Sequence, residues 1–161
     1  MMRVIFICAV STILAVVCIS GCAAKASKDQ IHAYYITGEL KRLEPNESAV
    51  RLNDELIALG KTAVPAVVEL FESNTPRDRG NAAWILGEIS DRRAISVLTR
   101  KGLHDPVANV REFSAQALGS IGDPSAIPYL HKVASEDTDS SVRGTALGAI
   151  ENIRSQMRSP R

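Results

Sequence analysis

The side chains in this chain that could do chemistry are few, and their spacing limits what they can do. The three histidines, His32, His104 and His131, are followed by Ala33, Asp105 and Lys132. A metal centre needs three or four converging donors. His104-Asp105 offers one edge of such a set, so His104 reads as a turn residue, and no metal or cofactor is assigned. Ser, His and Asp are all present, but no Gly-x-Ser-x-Gly elbow exposes a nucleophile and no glycine-rich loop before a lysine cradles phosphates. Cys8, Cys18 and Cys22 crowd one end, which leaves residues 23–161 without a thiol. On these patterns no catalytic residue is named, and the chain is expected to be non-catalytic.

One acid–base pattern recurs. Asp105 and Arg111 return as Asp137 and Arg143, and a pair repeated once per unit suits a structural ladder between stacked units. The overall charge is balanced: Lys plus Arg is 19, Asp plus Glu is 18, and the net charge of +1 gives no reason to expect nucleic acid as a partner. With 45% apolar and 23% charged residues, the 161-residue chain falls among globular proteins of about one domain.

The elements that position these residues follow from a repeat of 32, which links Arg79, Arg111 and Arg143, then Leu86, Leu118 and Ile150, then Ile89, Ile121 and Ile153. Asp91 and Asp123, Ala94 and Ala126, and Leu98 and Leu130 keep the same register. Within a unit the apolar spacing is helical. Val110, Phe113, Ser114, Ala117, Leu118 and Ile121 form one inward stripe, and Ile127, Leu130, Val133 and Ala134 form another. Asp105-Pro106 places a capping acid before a helix start, Ser125 is expected to cap the helix carrying Pro128, and Thr62 with Pro65 is expected to do the same.

The stretches VREFSAQALGSIGDPSAIPYL (110–130), RGNAAWILGEISDRRAISVL (79–98), LGKTAVPAVVELF (59–71) and VRGTALGAI (142–150) resemble the HEAT-repeat family, and more narrowly the HEAT-like repeats of phycobilisome lyases. That resemblance implies an all-α, short right-handed solenoid of helix pairs. The pairs are expected at 46–73, 77–103 and 107–135, with a lone helix near 140–157, inside a repeat domain at 46–157. A capping helix is expected within 30–45, packing through Ile31, Tyr35 and Leu43, with a tail at 158–161. Asp78 stands where the sister units have Val110 and Val142, so the helix from 77 is expected to start loosely. In this family Asp105, Arg111, Asp137 and Arg143 resemble the ladder that bonds along the inter-repeat turns. Another HEAT-like family, deoxyhypusine hydroxylase, holds two irons through repeated His-Glu pairs; no His-Glu dipeptide occurs here, so that activity is expected to be excluded.

The first segment resembles a bacterial lipoprotein signal. Arg3 precedes an uncharged run from Val4 to Ala24 that ends in Ile19-Ser20-Gly21-Cys22. The resemblance implies residues 1–21 as signal peptide, cleavage between Gly21 and Cys22, acylation of Cys22, and a tether over 22–29. An uncleaved transmembrane anchor is the alternative. Because Ala23 is not Asp, the family rule would place a Gram-negative lipoprotein at the outer membrane, so a lipid-anchored location in the bacterial cell envelope is expected.

In such a solenoid the second helices line a concave groove, again by resemblance. Their outward positions by register are Ala66, Val97 and Tyr129, then Glu69, Arg100 and Lys132. A tyrosine beside two cations suits an acidic peptide or a glycan. Trp84 either fills a gap between helices or anchors a partner, with packing favoured. The function expected is a membrane-anchored, non-catalytic interaction or scaffold module with an unknown protein partner. A lyase-like enzyme handling a tetrapyrrole and a structural component of an envelope complex are the alternatives.

Overall fold

A computed structural model describes residues 27–42 and 47–158. The lipidation position Cys22, the signal 1–21, Gly21, most of the tether, Leu43 and residues 159–161 lie outside them. The described residues form α1 (Lys28–Leu40), α2 (Glu47–Leu59), α3 (Val64–Val68), α4 (Pro76–Ile89), α5 (Ile95–Arg100), α6 (Ala108–Ile121), α7 (Ile127–Glu136) and α8 (Ser140–Arg158). No strand occurs among them, and the helices stack as an α-solenoid.

Local chemistry sets the helix ends. Ser27 starts α1 with a capping box: its hydroxyl accepts from the Gln30 N–H at 3.2 Å, and the Gln30 side chain accepts from the Ser27 N–H at 2.8 Å. The buried stripe of α1 is Ala33, Ile36, Thr37 and Leu40, one notch on from the expected one. Tyr35 is exposed, because the i, i+3, i+4, i+7 row that meets α2 and α3 starts at Ala33. The expected loose start of α4 is also corrected. Asp78 is buried and tied to Ser73 Oγ at 2.7 Å, while Thr75 caps the helix through the Asp78 N–H. Asp123, not Ser125, supplies the cap before α7, accepting the Ser125 N–H at 2.9 Å at the head of a 3-10 turn. Thr62 likewise donates back to the Leu59 carbonyl at 2.7 Å rather than capping α3.

The first helices α4, α6 and α8 lie side by side, and α7 packs on α8. Their closest approaches are made by glycine. A Cβ added at Gly87 would stand 2.9 Å from Ala117 Cα, and one at Gly119 would stand 2.9 Å from Ala149 Cα. The core runs through the layers as Ile85, Leu86, Leu98, Leu118, Leu130 and Ile153, all fully buried. Phe113 departs from the expected inward stripe. It is part-exposed because its ring lies across the stack over Gly80, where an added Cβ would be 3.4 Å from it.

The acid–base ladder ties layer to layer, but not in the pairing the sequence suggested. Arg79 reaches Asp105 at 2.5 and 3.0 Å, and Arg111 reaches Asp137 at 2.7 and 2.8 Å, each by a two-pronged contact. The third guanidinium nitrogen bonds backward, Arg79 to the Ser73 carbonyl, Arg111 to that of Asp105 and Arg143 to that of Asp137, at 2.8–2.9 Å. Asp105 and Arg111 are therefore neighbours in different rungs. Burial alone would raise the Asp105 carboxyl, but the Arg79 hydrogen bonds and the Val107 N–H outweigh it and hold it below its ordinary value. Asp137 is lowered chiefly by Arg111, against burial and with help from the Asp139 N–H.

Two outcomes are expected. Gly119→Ala should lose about 1–3 kcal/mol in urea unfolding, because the new methyl must push the α8 backbone away; an unchanged midpoint would contradict the packing. The rung carboxylates are depressed in the folded state relative to about 3.9 unfolded. Their contribution is therefore complete above that value and lost as pH falls through the folded value. The urea midpoint should stay flat from neutral pH to about pH 5 and drop below about pH 4, less so in Asp105→Asn.

Candidate functional site

Between α5 and α7 the stack leaves an open groove of about 570 Å³, lined by Arg92, Ile95, Ser96, Thr99, Arg100, Asp123, Ser125 and Tyr129. The elements place these side chains for simple reasons. A 3-10 turn, Arg92–Ala94, precedes α5, and its counterpart Pro124–Ala126 precedes α7. Each is opened by an aspartate cap, Asp91 and Asp123. Arg92 then reaches across to Asp123 as an ion pair between adjacent layers, with the acid 4% exposed and the arginine 80% exposed. Ser125 holds the Asp123 carboxyl below its ordinary value, first by its side chain and then by its backbone N–H, and Arg92 adds to this.

One turn along α5, Arg100 donates to Ser96 Oγ at 2.7 Å. The Thr99 hydroxyl is already committed to the Ile95 carbonyl at 2.8 Å. Tyr129 closes the far wall and is 49% exposed. The groups left to meet a ligand are the outer edges of two guanidiniums and a tyrosine, since the Ser125 hydroxyl is already engaged by Asp123. Since one cation is already matched by Asp123, the groove has a net excess of about one positive charge. It is suited to a carboxylate or similar anion lying against an aromatic ring.

Arg100 and Tyr129 are thus brought together as the sequence suggested. Val97 and Ala66 are not outward: both are buried. Both side chains pack into the apolar core, and along α5 it is Ser96 and Arg100 that form the exposed row. Lys132 and Glu69 are exposed but do not line the groove. Trp84 is half-buried and packs on the core. The reading missed Arg92, Ser96, Asp123 and Ser125, although the repeat of Asp91 at Asp123 marked the two matching turns.

The histidines sit apart. His104 Nδ1 is 3.1 Å from the Thr99 carbonyl in a turn. His131 Nε2 is 3.3 Å from Arg154, and His32 Nε2 is 2.6 Å from Glu55 at the surface between α1 and α2. Among the described residues no three or more His, Cys, Asp or Glu side chains converge as a metal site would. The lone His32–Glu55 contact does not fit a two-iron donor set.

The family model of HEAT repeats matches residues 64–151, more than half of the chain. The chain belongs to the HEAT-repeat family. Deoxyhypusine hydroxylase of Drosophila melanogaster is 30% identical over 97 residues, 59% of this chain and 32% of that protein. The Candida albicans enzyme of the same name is 32% identical over 92 residues, 56% and 29% of the two chains. Human deoxyhypusine hydroxylase in complex with glycerol superposes with a TM-score of 0.69 at 25% identity, over 83% of this chain and 48% of that one. The HEAT-repeat chain thus spans about a third of the curated relatives it matches.

These matches correct the expected function. The relatives are named as enzymes, hydroxylases rather than lyases, which overturns the non-catalytic scaffold reading and its lyase and structural alternatives. They also overturn the bacterial-envelope and membrane location, since the relatives are eukaryotic hydroxylases. Among the described residues no helix is long and apolar enough to cross a membrane.

The groove geometry predicts that Asp123→Ala costs about 1 kcal/mol through the lost cap and frees Arg92. Thermal unfolding together with a salt-dependent rise in binding of a polyanionic dye would show both effects; an unaltered melting temperature would count against the cap.

Proposed function

We propose that this chain is a substrate-holding HEAT-repeat unit of a protein-modifying enzyme of the deoxyhypusine hydroxylase type. The alignment with those enzymes carries the reading. The groove gives it a physical form. A polypeptide segment lies between α5 and α7, with an acidic side chain on Arg100 and Arg92 and an apolar one on Tyr129. The near-balanced charge of the chain favours a polypeptide over nucleic acid. The described residues present no group of three or more His, Cys, Asp or Glu that could hold a metal, so the group that performs the chemistry is proposed to come from outside them.

The expected outcome is saturable binding of a deoxyhypusine-bearing polypeptide with acidic flanks, followed by titration calorimetry. Affinity should fall about tenfold in Arg100→Glu, a loss of one charge-assisted contact, and fall as salt is raised. Lys132→Glu should change it little. No binding, or binding equal in Arg100→Glu, would contradict the proposal.

On sequence alone, we also propose that Cys22 is acylated after cleavage behind Gly21, with 22–29 as tether, 30–45 as cap and 46–157 as repeat domain. The intact mass of the protein isolated from its native cells should show an acylated Cys22 N-terminus. A full-length, unmodified mass would refute it.

A further inference from the structure

Among the described residues nothing packs on the far face of the last helix, α8, and the residues on that face are identified by the repeat. Ala83 and Ala115 are fully buried in the preceding helices, while their counterpart Leu147 is 57% exposed. Gly119 faces Ala149 of the next layer, so its counterpart Glu151 faces the open end. Arg79 and Arg111 each grip an aspartate of the following layer. Arg143 keeps only the backward bonds to the Asp137 and Thr138 carbonyls, and no carboxylate among the described residues meets its fork. The ladder therefore stops at a cation whose partner chemistry the two earlier rungs specify: a carboxylate approaching along the stack.

Arg143 and Glu151 lie one turn on either side of Leu147, four residues each way. Along a helix that places the charges about 6 Å before and after the leucine on one face. Such a row is complementary to itself when a second helix runs antiparallel. Leucine then meets leucine on the two-fold axis, and each Arg143 faces the other copy's glutamate at position 151. Gly144 and Gly148 beside the row have nothing within 4 Å of where a Cβ would be, which leaves room for close approach. Among the described residues the Glu151 carboxylate pairs with the exposed Arg158, at 2.9 Å, a contact that is readily exchanged.

We propose that the open face of α8 is the interface of a two-fold homodimer, packed antiparallel about Leu147 with reciprocal Arg143–Glu151 pairs. The occupant is a second copy of this chain, because the charge pattern matches its own reverse, as an isologous contact requires. In this contact the fork of Arg143, the last of the ladder, meets a carboxylate as the forks of Arg79 and Arg111 do.

The test uses two full-length chains carrying different affinity tags, co-expressed in one cell, with Arg143→Glu and Glu151→Arg as the variants. Arg143→Glu makes the row wholly acidic and Glu151→Arg makes it wholly basic. Differently tagged wild-type chains should co-purify. Each variant paired with itself should lose co-purification about tenfold or more, and Arg143→Glu paired with Glu151→Arg should recover it. Glu151 is exposed and bonds no backbone, so its variant tests the interface even if Arg143→Glu folds poorly; circular dichroism identifies that case. Absence of wild-type co-purification, or self-pairing of Glu151→Arg at wild-type strength, would overturn the proposal.

Discussion

No helix pair in this protein can bury its apolar face alone, and the rest of the structure depends on how closely each layer meets the next. That distance is set at two glycines. Gly87 against Ala117 and Gly119 against Ala149 bring successive first helices so near that no side chain fits between their backbones. With the helices at that spacing, Leu86, Leu118 and Ile150 form a continuous apolar spine. The arginine forks also fall within reach of the next layer's aspartates. The small-residue contact fixes position, and the Arg–Asp rungs fix register. A buried ion pair is poor evidence of stability by itself. Here each acid also accepts a backbone N–H, at Val107 and Asp139, so the rung closes a turn as well as bridging two layers.

The groove follows from the same constraint. The first helices are long and pack tightly, while the second elements are broken into 3-10 turns and short helices that do not fill the other side of the stack. Space remains between α5 and α7, and the turns that open these elements carry Arg92 and Asp123 to its rim. The residues that could hold a ligand are thus placed by the turns and by one exposed row of α5. The chemistry they offer is recognition of an anion beside an aromatic ring.

Much of this was legible in the sequence. The repeat of 32, with the HEAT-like resemblance of its units, pointed to the fold class. It failed at Val97 and Ala66, expected outward by register, because both pack into the core while the exposed row of α5 is Ser96 and Arg100. It also failed where a buried polar residue was satisfied locally, as with Asp78 held by Ser73 and Thr75. The rung pairing was misassigned because six residues in sequence looked nearer than 26, although the longer link is the one the stack closes. The likeness to deoxyhypusine hydroxylases was not legible, since no His-Glu dipeptide marks it in the sequence.

The most direct measurement is a double-mutant cycle on one rung, with Arg111→Ala, Asp137→Ala and the double variant unfolded in urea. If the rungs lock layer to layer, the two positions should couple by about 1–3 kcal/mol, as contacting residues in one network do. A coupling within about 0.3 kcal/mol of zero, the level found for independent sites, would show that the stack stands on its glycine contacts alone and would contradict the account.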